Sequence, residues 1–372
     1  MNKEQQNRMR SPIQVTRPSL APLEEYLPYL KTIWETGVMT HNGPMVQLLE
    51  QELCAYLKVK HVVCVANGTC ALQLVIRALD LTGEVITTPF TFIATANVID
   101  WERCRPVFVD VCPDSWNIDP NQIEAKITDQ TSAILPVHVF GAPCDTESIQ
   151  AIANRHGLKV IYDAAHAMAV EIGGASVLRE GDVSCVSFHA TKLFNTAEGG
   201  SCVTEDDELA ARIRRMRFFG FNERKEIVDS GMNAKMTEVS AGLGLANLKW
   251  LDEFRRNRRR KYEYYGRLLA ELPGITFQKF SPEAYNYSYM PVLFEQEALL
   301  LRVMDRLGED HIYPRRYFHP SLNTVSIFKD KEPLPVSERL ARTVLCLPLY
   351  DILPMDDIER ICGHIAAVLK GT

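Results

Sequence analysis

Between residues 61 and 188, short apolar runs alternate along the chain with segments of amphipathic character. The apolar runs are rich in β-branched residues and predict strands, whereas the amphipathic segments have the spacing of helices. The predicted strands are 61–65, 84–88, 106–111, 133–137, 158–162 and 182–188, and the predicted helices are 69–79, 92–101, 120–127 and 146–156. Alternation of this kind favours an α/β fold with a mostly parallel sheet covered by helices on both faces.

The pattern changes after residue 236. One long helix is predicted from Thr237 to Leu272, and shorter strand and helix patterns follow it to the end of the chain. A length of 372 residues also suggests two domains. We therefore expect a disordered tail at 1–12, a large domain at 13–259 and a smaller C-terminal α/β domain at 260–372.

A lysine stands in a turn that follows one of the predicted strands. Residues 184–201 read SCVSFHATKLFNTAEGGS, with Lys192 a few residues beyond Phe188. Lysine forms Schiff bases with carbonyl compounds, and burial lowers its pKa enough to make the amine nucleophilic. Taken alone, such a lysine is more often a solvated surface charge, so a second residue is needed to decide between the two interpretations.

Asp163 supplies that second residue, because it directly follows the preceding predicted strand, 158–162. Pyridoxal 5'-phosphate (PLP) requires a lysine and usually an acid that faces its pyridine nitrogen. Ligands collect at the carboxyl ends of parallel strands, where both residues lie. The pair predicts a PLP site. His166 stands close by without a third residue at metal-ligand spacing, so we expect no metal there.

Gly68 and Thr69 follow the first of these strands and begin a helix. Free N–H groups at a helix start bind anions, and glycine permits close approach of a phosphate. An ordinary turn between a strand and a helix explains the pair equally well. The residues alone leave both interpretations open.

Several separated motifs, in this order, resemble the DegT/DnrJ/EryC1/StrS family of PLP-dependent sugar-nucleotide aminotransferases. They read NGTCAL, TPFTFIATAN, DAAHA, SFHATK, EGG and GMNAKMTEVSAGLGLANL, and they span most of the chain. The resemblance implies an aspartate-aminotransferase-like (type I) fold and PLP as the cofactor.

The resemblance also implies how the phosphate of PLP is bound. Gly68, Thr69 and Ser187 match family positions that bind it within one subunit. Asn233 matches an asparagine that reaches the phosphate of the partner subunit. A homodimer with shared active sites is the assembly that this implies.

Four further positions match residues around the cofactor ring. Lys192 would bind PLP covalently and move protons during catalysis, and Asp163 would face the pyridine nitrogen. Phe92 would stack on the ring, although core packing is the commoner fate of an aromatic side chain at a helix start. His166 would form a hydrogen bond with the phenolic oxygen of the cofactor, unless it is a core histidine.

The segment 314–320 reads PRRYFHP and resembles a stretch of family members that aminate C4 of a dTDP-linked 4-keto-6-deoxy sugar. Arg315, Arg316 and Tyr317 suit a nucleotide diphosphate or a donor carboxylate. The implied reaction transfers the amino group of L-glutamate to C4 of dTDP-4-keto-6-deoxy-D-glucose for O-antigen synthesis. Family members that aminate C3, or that use GDP- or UDP-sugars, remain alternatives. A non-catalytic regulator on the same fold is a third.

Composition and charge narrow the other classes of function. A formal net charge of −6 argues against a general nucleic-acid binder. No apolar run is long enough to cross a bilayer, and the polar N-terminus lacks the core of a signal peptide. Ten cysteines without a CxxC pair indicate reduced thiols. We expect a cytoplasmic protein.

The basic run 255–261 suits a solvated helix face better than a polyanion site.

Overall fold

The computed structural model describes residues 11–328 and 332–371. Residues 1–10 of the predicted tail therefore lie outside the described residues. The α-helices are α1 (Leu23–Thr36), α2 (Pro44–Leu57), α3 (Gly68–Ala78), α4 (Ile93–Trp101), α5 (Thr146–His156), α6 (Asp207–Met216), α7 (Glu238–Leu248), α8 (Leu251–Leu269), α9 (Glu297–Gly308), α10 (Pro335–Thr343) and α11 (Met355–Lys370). The strands are β1 (Ile13–Gln14), β2 (His61–Val65), β3 (Glu84–Thr87), β4 (Arg105–Phe108), β5 (Thr131–Leu135), β6 (Lys159–Asp163), β7 (Glu171–Ile172), β8 (Ala175–Ser176), β9 (Val183–Ser187), β10 (Gly200–Thr204), β11 (Ile275–Thr276), β12 (Met290–Phe294), β13 (Ile312–Tyr313) and β14 (Val344–Leu347).

The central sheet has the strand order β2-β10-β9-β6-β5-β3-β4. Neighbouring strands from β9 to β4 are parallel, which confirms the predicted mostly parallel sheet. Strand β10 lies between β2 and β9 and is antiparallel to both. It was not predicted, because its sequence, GSCVT, has only a short apolar stretch.

Side chains along the central strands alternate between two cores, one on each face of the sheet, as β2 illustrates. Val62 and Cys64 belong to the core that includes α2, α5 and α7 residues. Val63 and Val65 belong to the core that includes α3, α4 and α6 residues. Helices therefore cover both faces, as predicted, and the functional groups can emerge only at the strand ends.

The C-terminal part has its own antiparallel sheet, with the order β11-β12-β14. Its core combines residues of α8, α9 and α11 with Ile13, because β1 pairs with β13. We keep the predicted division at 259 and 260 as a proposal that this second core supports. Residue 260 lies inside α8, and Ile13 joins the C-terminal core although the prediction assigned it to the large domain.

Two predicted helices differ from the observed ones. The long helix 237–272 is divided, since α7 ends at Leu248 and α8 begins at Leu251. Just before this break lies the buried side-chain amide of Asn247. Its oxygen accepts a hydrogen bond from the N–H of Ala21, and its nitrogen donates one to the carbonyl of Asn195. The segment 120–127 forms two short 3-10 turns instead of a helix. It offers few apolar side chains whose burial could stabilise a longer helix.

Across residues 11–328 and 332–371, no helix combines the length and the apolar character that a bilayer span requires.

Candidate active site

A cavity of about 480 Å³ lies at the carboxyl ends of the central strands, as the βα pattern predicts. Asn233 and Arg316 do not line it. The predicted site residues that do line it are Gly68, Thr69, Phe92, Asp163, His166, Ser187, Lys192, Arg315 and Tyr317.

One wall of the cavity is the start of helix α3. The side-chain oxygen of Asn67 accepts a hydrogen bond from the N–H of Cys70 at 2.8 Å. The N–H groups of Gly68 and Thr69 belong to the same first turn of the helix and have no intrahelical acceptor. The hydroxyl of Ser187 lies at the end of β9, on the same wall of the cavity. These donors form a site suited to an anion.

Two glycines allow this wall to pack closely. A Cβ atom on Gly68 would lie 3.0 Å from the Cβ atom of Ser187. A Cβ atom on Gly200 would lie 2.6 Å from the carbonyl carbon of Asn67. The backbone of β10 and the start of α3 are therefore in contact at a distance that only glycine permits.

The buried carboxylate of Asp163 lies at the end of β6. It accepts hydrogen bonds from the hydroxyl of Thr95 at 2.7 Å and from the N–H of Ala165 at 3.1 Å. Burial raises the pKa of Asp163, while these two bonds and the charge of Lys192 oppose the rise.

His166 is buried near Asp163, and a backbone contact determines which of its two ring nitrogens carries the proton. Its Nδ1 atom accepts a hydrogen bond from the N–H of Phe140 at 3.2 Å. The proton of the neutral ring is therefore on Nε2. Burial holds the pKa of His166 well below its usual range, so the ring is neutral. The ring of Phe318 lies parallel to it, with centroids 5.9 Å apart.

The amine of Lys192 lies 3.1 Å from the hydroxyl of Tyr289. Burial lowers the pKa of Lys192 to about 8, and the neighbouring Tyr317 and Asp163 partly oppose that effect. A substantial fraction of the amine is therefore neutral near physiological pH, as a nucleophile or base requires. Phe92 also lines the cavity and is 52% exposed there.

The two arginines of the predicted substrate segment have different surroundings. Arg315 lines the cavity, and its guanidinium lies 4.9 Å from the ring centre of Tyr317. Arg316 forms an ion pair with Glu297 and donates to the carbonyl of Arg342 at 3.0 Å. Neighbouring residues of an extended segment point to opposite sides, so the structure brings Arg315 and Tyr317 into the cavity but not Arg316.

Asn233 is exposed and does not line the cavity of its own chain. Its backbone forms a bridge with Phe218, and its side-chain oxygen accepts a hydrogen bond from Lys235. The described chain therefore does not bring Asn233 into the cavity with the other predicted phosphate-binding residues.

Several residues that contribute to the site were not predicted. Thr95 bonds Asp163, Tyr289 bonds Lys192, and His189 lies 3.6 Å from Glu198 at the cavity wall. Thr95 lies three residues after Phe92 at the start of α4, so the two face the same side of the helix. That spacing could have identified Thr95 as a site residue. Tyr289 comes from a distant aromatic-rich segment with no comparable signal. Among the described residues, no three His, Cys, Asp or Glu side chains are grouped as metal ligands.

The chain matches the DegT/DnrJ/EryC1/StrS aminotransferase family over residues 23–366. It is 43% identical over 370 residues to the dTDP-4-amino-4,6-dideoxy-D-glucose transaminase of Shigella dysenteriae, covering 97% of this chain and 100% of the relative. The crystal structure of DesI in the presence of its TDP-sugar product has a TM-score of 0.92 at 35% identity, over 98% of this chain and 94% of DesI. That of NtdA from Bacillus subtilis with bound cofactor PMP has a TM-score of 0.87 at 29% identity, over 94% of this chain and 82% of NtdA.

The structural similarity confirms the predicted aminotransferase fold, and the sequence similarity extends over nearly the whole chain. The residues 23–366 that match the family include every motif quoted above. On this evidence the chain belongs to the DegT/DnrJ/EryC1/StrS aminotransferase family.

Proposed function

We propose that this protein is a PLP-dependent transaminase that aminates C4 of dTDP-4-keto-6-deoxy-D-glucose with L-glutamate as donor. The product is then dTDP-4-amino-4,6-dideoxy-D-glucose. The proposal depends on one observation: Lys192, Asp163 and the start of a helix suited to an anion line the same cavity. The choice of sugar nucleotide rests on the name of the relative from Shigella dysenteriae and on the TDP-sugar product of DesI.

The residues of the cavity fit the chemical groups of PLP. The phosphate suits the N–H groups of Gly68 and Thr69 and the hydroxyl of Ser187, in a cradle that a Cβ atom on Gly68 would narrow. The buried acid Asp163 suits a protonated pyridine nitrogen. The amine of Lys192 is partly neutral and can therefore react as a nucleophile with the aldehyde of PLP.

When bound, PLP supplies a pyridinium ring that accepts electrons from the carbon that loses its proton. Asp163 keeps the ring nitrogen protonated because a carboxylate favours a cation beside it. Once free of the cofactor, the amine of Lys192 removes the proton from the α-carbon of glutamate. In the second half-reaction it delivers a proton to C4 of the sugar.

His166 and Phe92 hold the ring in place. Since Nδ1 of His166 accepts from a backbone N–H, its Nε2–H is left to donate to the phenolic oxygen of the cofactor. Phe92 is more than half exposed within the cavity, as a side chain that packs on a bound ring would be.

The anionic parts of the two substrates require a cation at the cavity wall. Arg315 is exposed there and is oriented by the ring of Tyr317. A guanidinium binds a carboxylate or a diphosphate through paired hydrogen bonds. Because both substrates use the same cavity in turn, we expect ping-pong kinetics.

A homodimer with shared active sites is part of the proposal. Asn233 does not line the cavity of its own chain, and it is exposed. A symmetric dimer would bring it to the phosphate cradle of the partner subunit. We also propose a cytoplasmic location and a role of the product in O-antigen synthesis. The free state of all ten cysteines agrees with a reducing compartment.

The decisive experiment offers the PLP-loaded protein glutamate and a panel of nucleotide-linked keto sugars. The panel contains dTDP-, GDP- and UDP-sugars with the keto group at C3 or C4. Mass spectrometry measures the exchange of oxygen for an amino group, and NMR identifies the carbon and its configuration. Lys192→Ala is the control and should form no product. Amination at C3, or of a GDP- or UDP-sugar only, would overturn the assigned substrate. No amination at all would favour a non-catalytic regulator.

A further inference from the structure

Tyr289 contacts the amine of Lys192 from the C-terminal part of the chain. Its hydroxyl lies 3.1 Å from Nζ, and the centre of its ring lies 5.8 Å from the same atom. Tyr289 lines the cavity, and its ring is tilted against that of His166, with centroids 4.8 Å apart. The hydroxyl is therefore directed at the one lysine that lines the cavity in the described part of the chain.

The segment that carries Tyr289 is fixed to the turn after β6. The side-chain amide of Asn286 donates to the carbonyl of His166 at 2.7 Å and to that of Met168 at 2.9 Å. The hydroxyl of Tyr285 donates to the carbonyl of Tyr289 at 3.1 Å. Tyr289 directly precedes β12, so its backbone is held from both sides. A hydroxyl fixed in this way can orient a flexible amine.

We propose that Tyr289 is a positioning residue for the amine of Lys192. Its hydroxyl accepts a hydrogen bond from the ammonium form and donates one to the neutral amine, which keeps Nζ in one place while its charge changes. This role rests on the proposed function, in which Lys192 moves a proton at the substrate carbon. No relation between Tyr289 and the substrate itself is required.

The charges around this pair agree with such a role. Burial raises the pKa of Tyr289 above its usual range, so the phenol keeps its proton and can donate. The dipole of the hydroxyl stabilises the ammonium more than the amine, because hydrogen bonds to charged groups are the stronger ones. Among the described residues, the other titratable or charged groups that interact with Lys192 or Tyr289 are Asp163, His166, Tyr317, Arg258, Arg315, Cys346 and Tyr285.

The substitution Tyr289→Phe removes the hydroxyl and keeps the ring. We expect the pKa of Lys192 to fall below its value of about 8, because the ammonium loses an acceptor while it remains buried. With the PLP-loaded protein we expect kcat to fall about tenfold, since one hydrogen bond at the proton-transferring amine is lost. The KM for glutamate should change less than about twofold, because the role proposed for Tyr289 is confined to the amine of Lys192.

Two measurements test this on the full-length protein. The first titrates Lys192 in the cofactor-free chain by reductive methylation with formaldehyde and cyanoborohydride at a series of pH values, with mass spectrometry of the peptide. The second is the kcat and KM of the PLP-loaded protein. Tyr265→Phe is the matched control, since the buried Tyr265 donates one hydrogen bond to the carbonyl of Pro348 in the C-terminal core.

A shift of the methylation midpoint to lower pH in Tyr289→Phe, absent from Tyr265→Phe, supports the proposal. An unchanged midpoint overturns it, whether or not kcat falls, because a loss of rate alone would reflect packing. The methylation needs neither cofactor nor substrate. It therefore decides the role of Tyr289 even if the proposed transaminase activity is not found.

Discussion

The hydroxyl of Thr95 donates a hydrogen bond to the carboxylate of Asp163 at 2.7 Å, and so joins the first turn of α4 to the end of β6. Both side chains are buried. The bond opposes the effect of burial on the pKa of Asp163 and helps to keep the carboxylate ionised. In the proposed function Asp163 keeps the pyridine nitrogen protonated, and we expect that role to depend on this hydrogen bond.

Thr95→Val is expected to slow the half-reaction with glutamate by about tenfold, because the loss of one hydrogen bond raises the pKa of Asp163 further. Asp163 then ionises only at a higher pH, so the acid limb of the rate-against-pH profile should move to higher pH. Stopped-flow absorbance of the cofactor measures both. Thr87→Val is the matched control, since Thr87 is buried and bonds the carbonyl of Leu135 instead. An acid limb at the wild-type position would contradict the support assigned to Thr95.

Lys192 is expected to destabilise the cofactor-free fold at neutral pH. Its pKa falls from an ordinary 10.5 to about 8, so the unfolded chain binds more protons between these values. The resulting loss of folding free energy is largest below pH 8, and it disappears as the pH rises through 10.5. Lys192→Met should therefore be more stable than wild type at pH 7, by about 1–3 kcal/mol, and the gain should shrink near pH 10.

Urea unfolding of the cofactor-free proteins at both pH values measures this difference. Lys370→Met serves as the control, because Lys370 is exposed at the end of α11. A Lys192→Met protein that is less stable than wild type at pH 7 would show that contacts of the ammonium outweigh its burial.

Gly200→Ala is expected to weaken the anion cradle. The added Cβ atom would lie 2.6 Å from the carbonyl carbon of Asn67 and 2.7 Å from the nitrogen of Gly68, and both are backbone atoms that cannot turn aside. We expect a loss of stability of about 1–3 kcal/mol and a tenfold or larger fall in affinity for PLP. Thermal unfolding and absorbance titration with PLP measure the two effects.

Gly363→Ala provides the comparison for that substitution. Gly363 lies inside α11, and among the described residues no atom beyond the adjacent residues and the helix's own backbone would lie within 4 Å of its Cβ atom. Its stability should be unchanged or higher by up to about 1 kcal/mol. If Gly200→Ala matches it in stability and in affinity for PLP, the close packing of β10 on α3 does not shape the cradle.

The proposed sharing of sites predicts complementation between two inactive variants. In a heterodimer of Lys192→Ala and Asn233→Ala subunits, both lesions fall in the same site and the other site is intact. Activity should reappear on subunit exchange, up to about half of wild type per heterodimer. The assay requires that Asn233→Ala alone is strongly impaired, which is itself expected if it binds phosphate.

Subunit exchange is verified by mass-tagged chains before activity is measured. Mixing Lys192→Ala with Asp163→Asn is the control, because both residues act in the cavity of their own chain. That heterodimer has one lesion in each site and should stay inactive. Exchanged Lys192→Ala and Asn233→Ala subunits without activity would mean that Asn233 does not act across the interface.

The sequence by itself determined the strands and helices of the central sheet's parallel part, and that these strands run mostly parallel. Strands such as 61–65 are short, apolar and β-branched, and they alternate with amphipathic segments, so their type follows from local pattern. The same pattern puts Asp163 and Lys192 beyond strand ends, and parallel strands bring such positions to one edge. That is why nine of the residues that line the cavity could be named from local motifs and from the family resemblance that those motifs carry.

Only the tertiary structure decided which distant groups meet there. Tyr289 lies 97 residues after Lys192 along the chain, and no periodicity links the two. Arg316 has the same type of side chain as Arg315, yet it pairs with Glu297 because the extended segment alternates its sides. The place of β10 between β2 and β9 likewise depends on pairing with strands that its own short sequence does not specify. Contacts of this kind are chosen by the packing of whole elements, and local sequence carries little information about them.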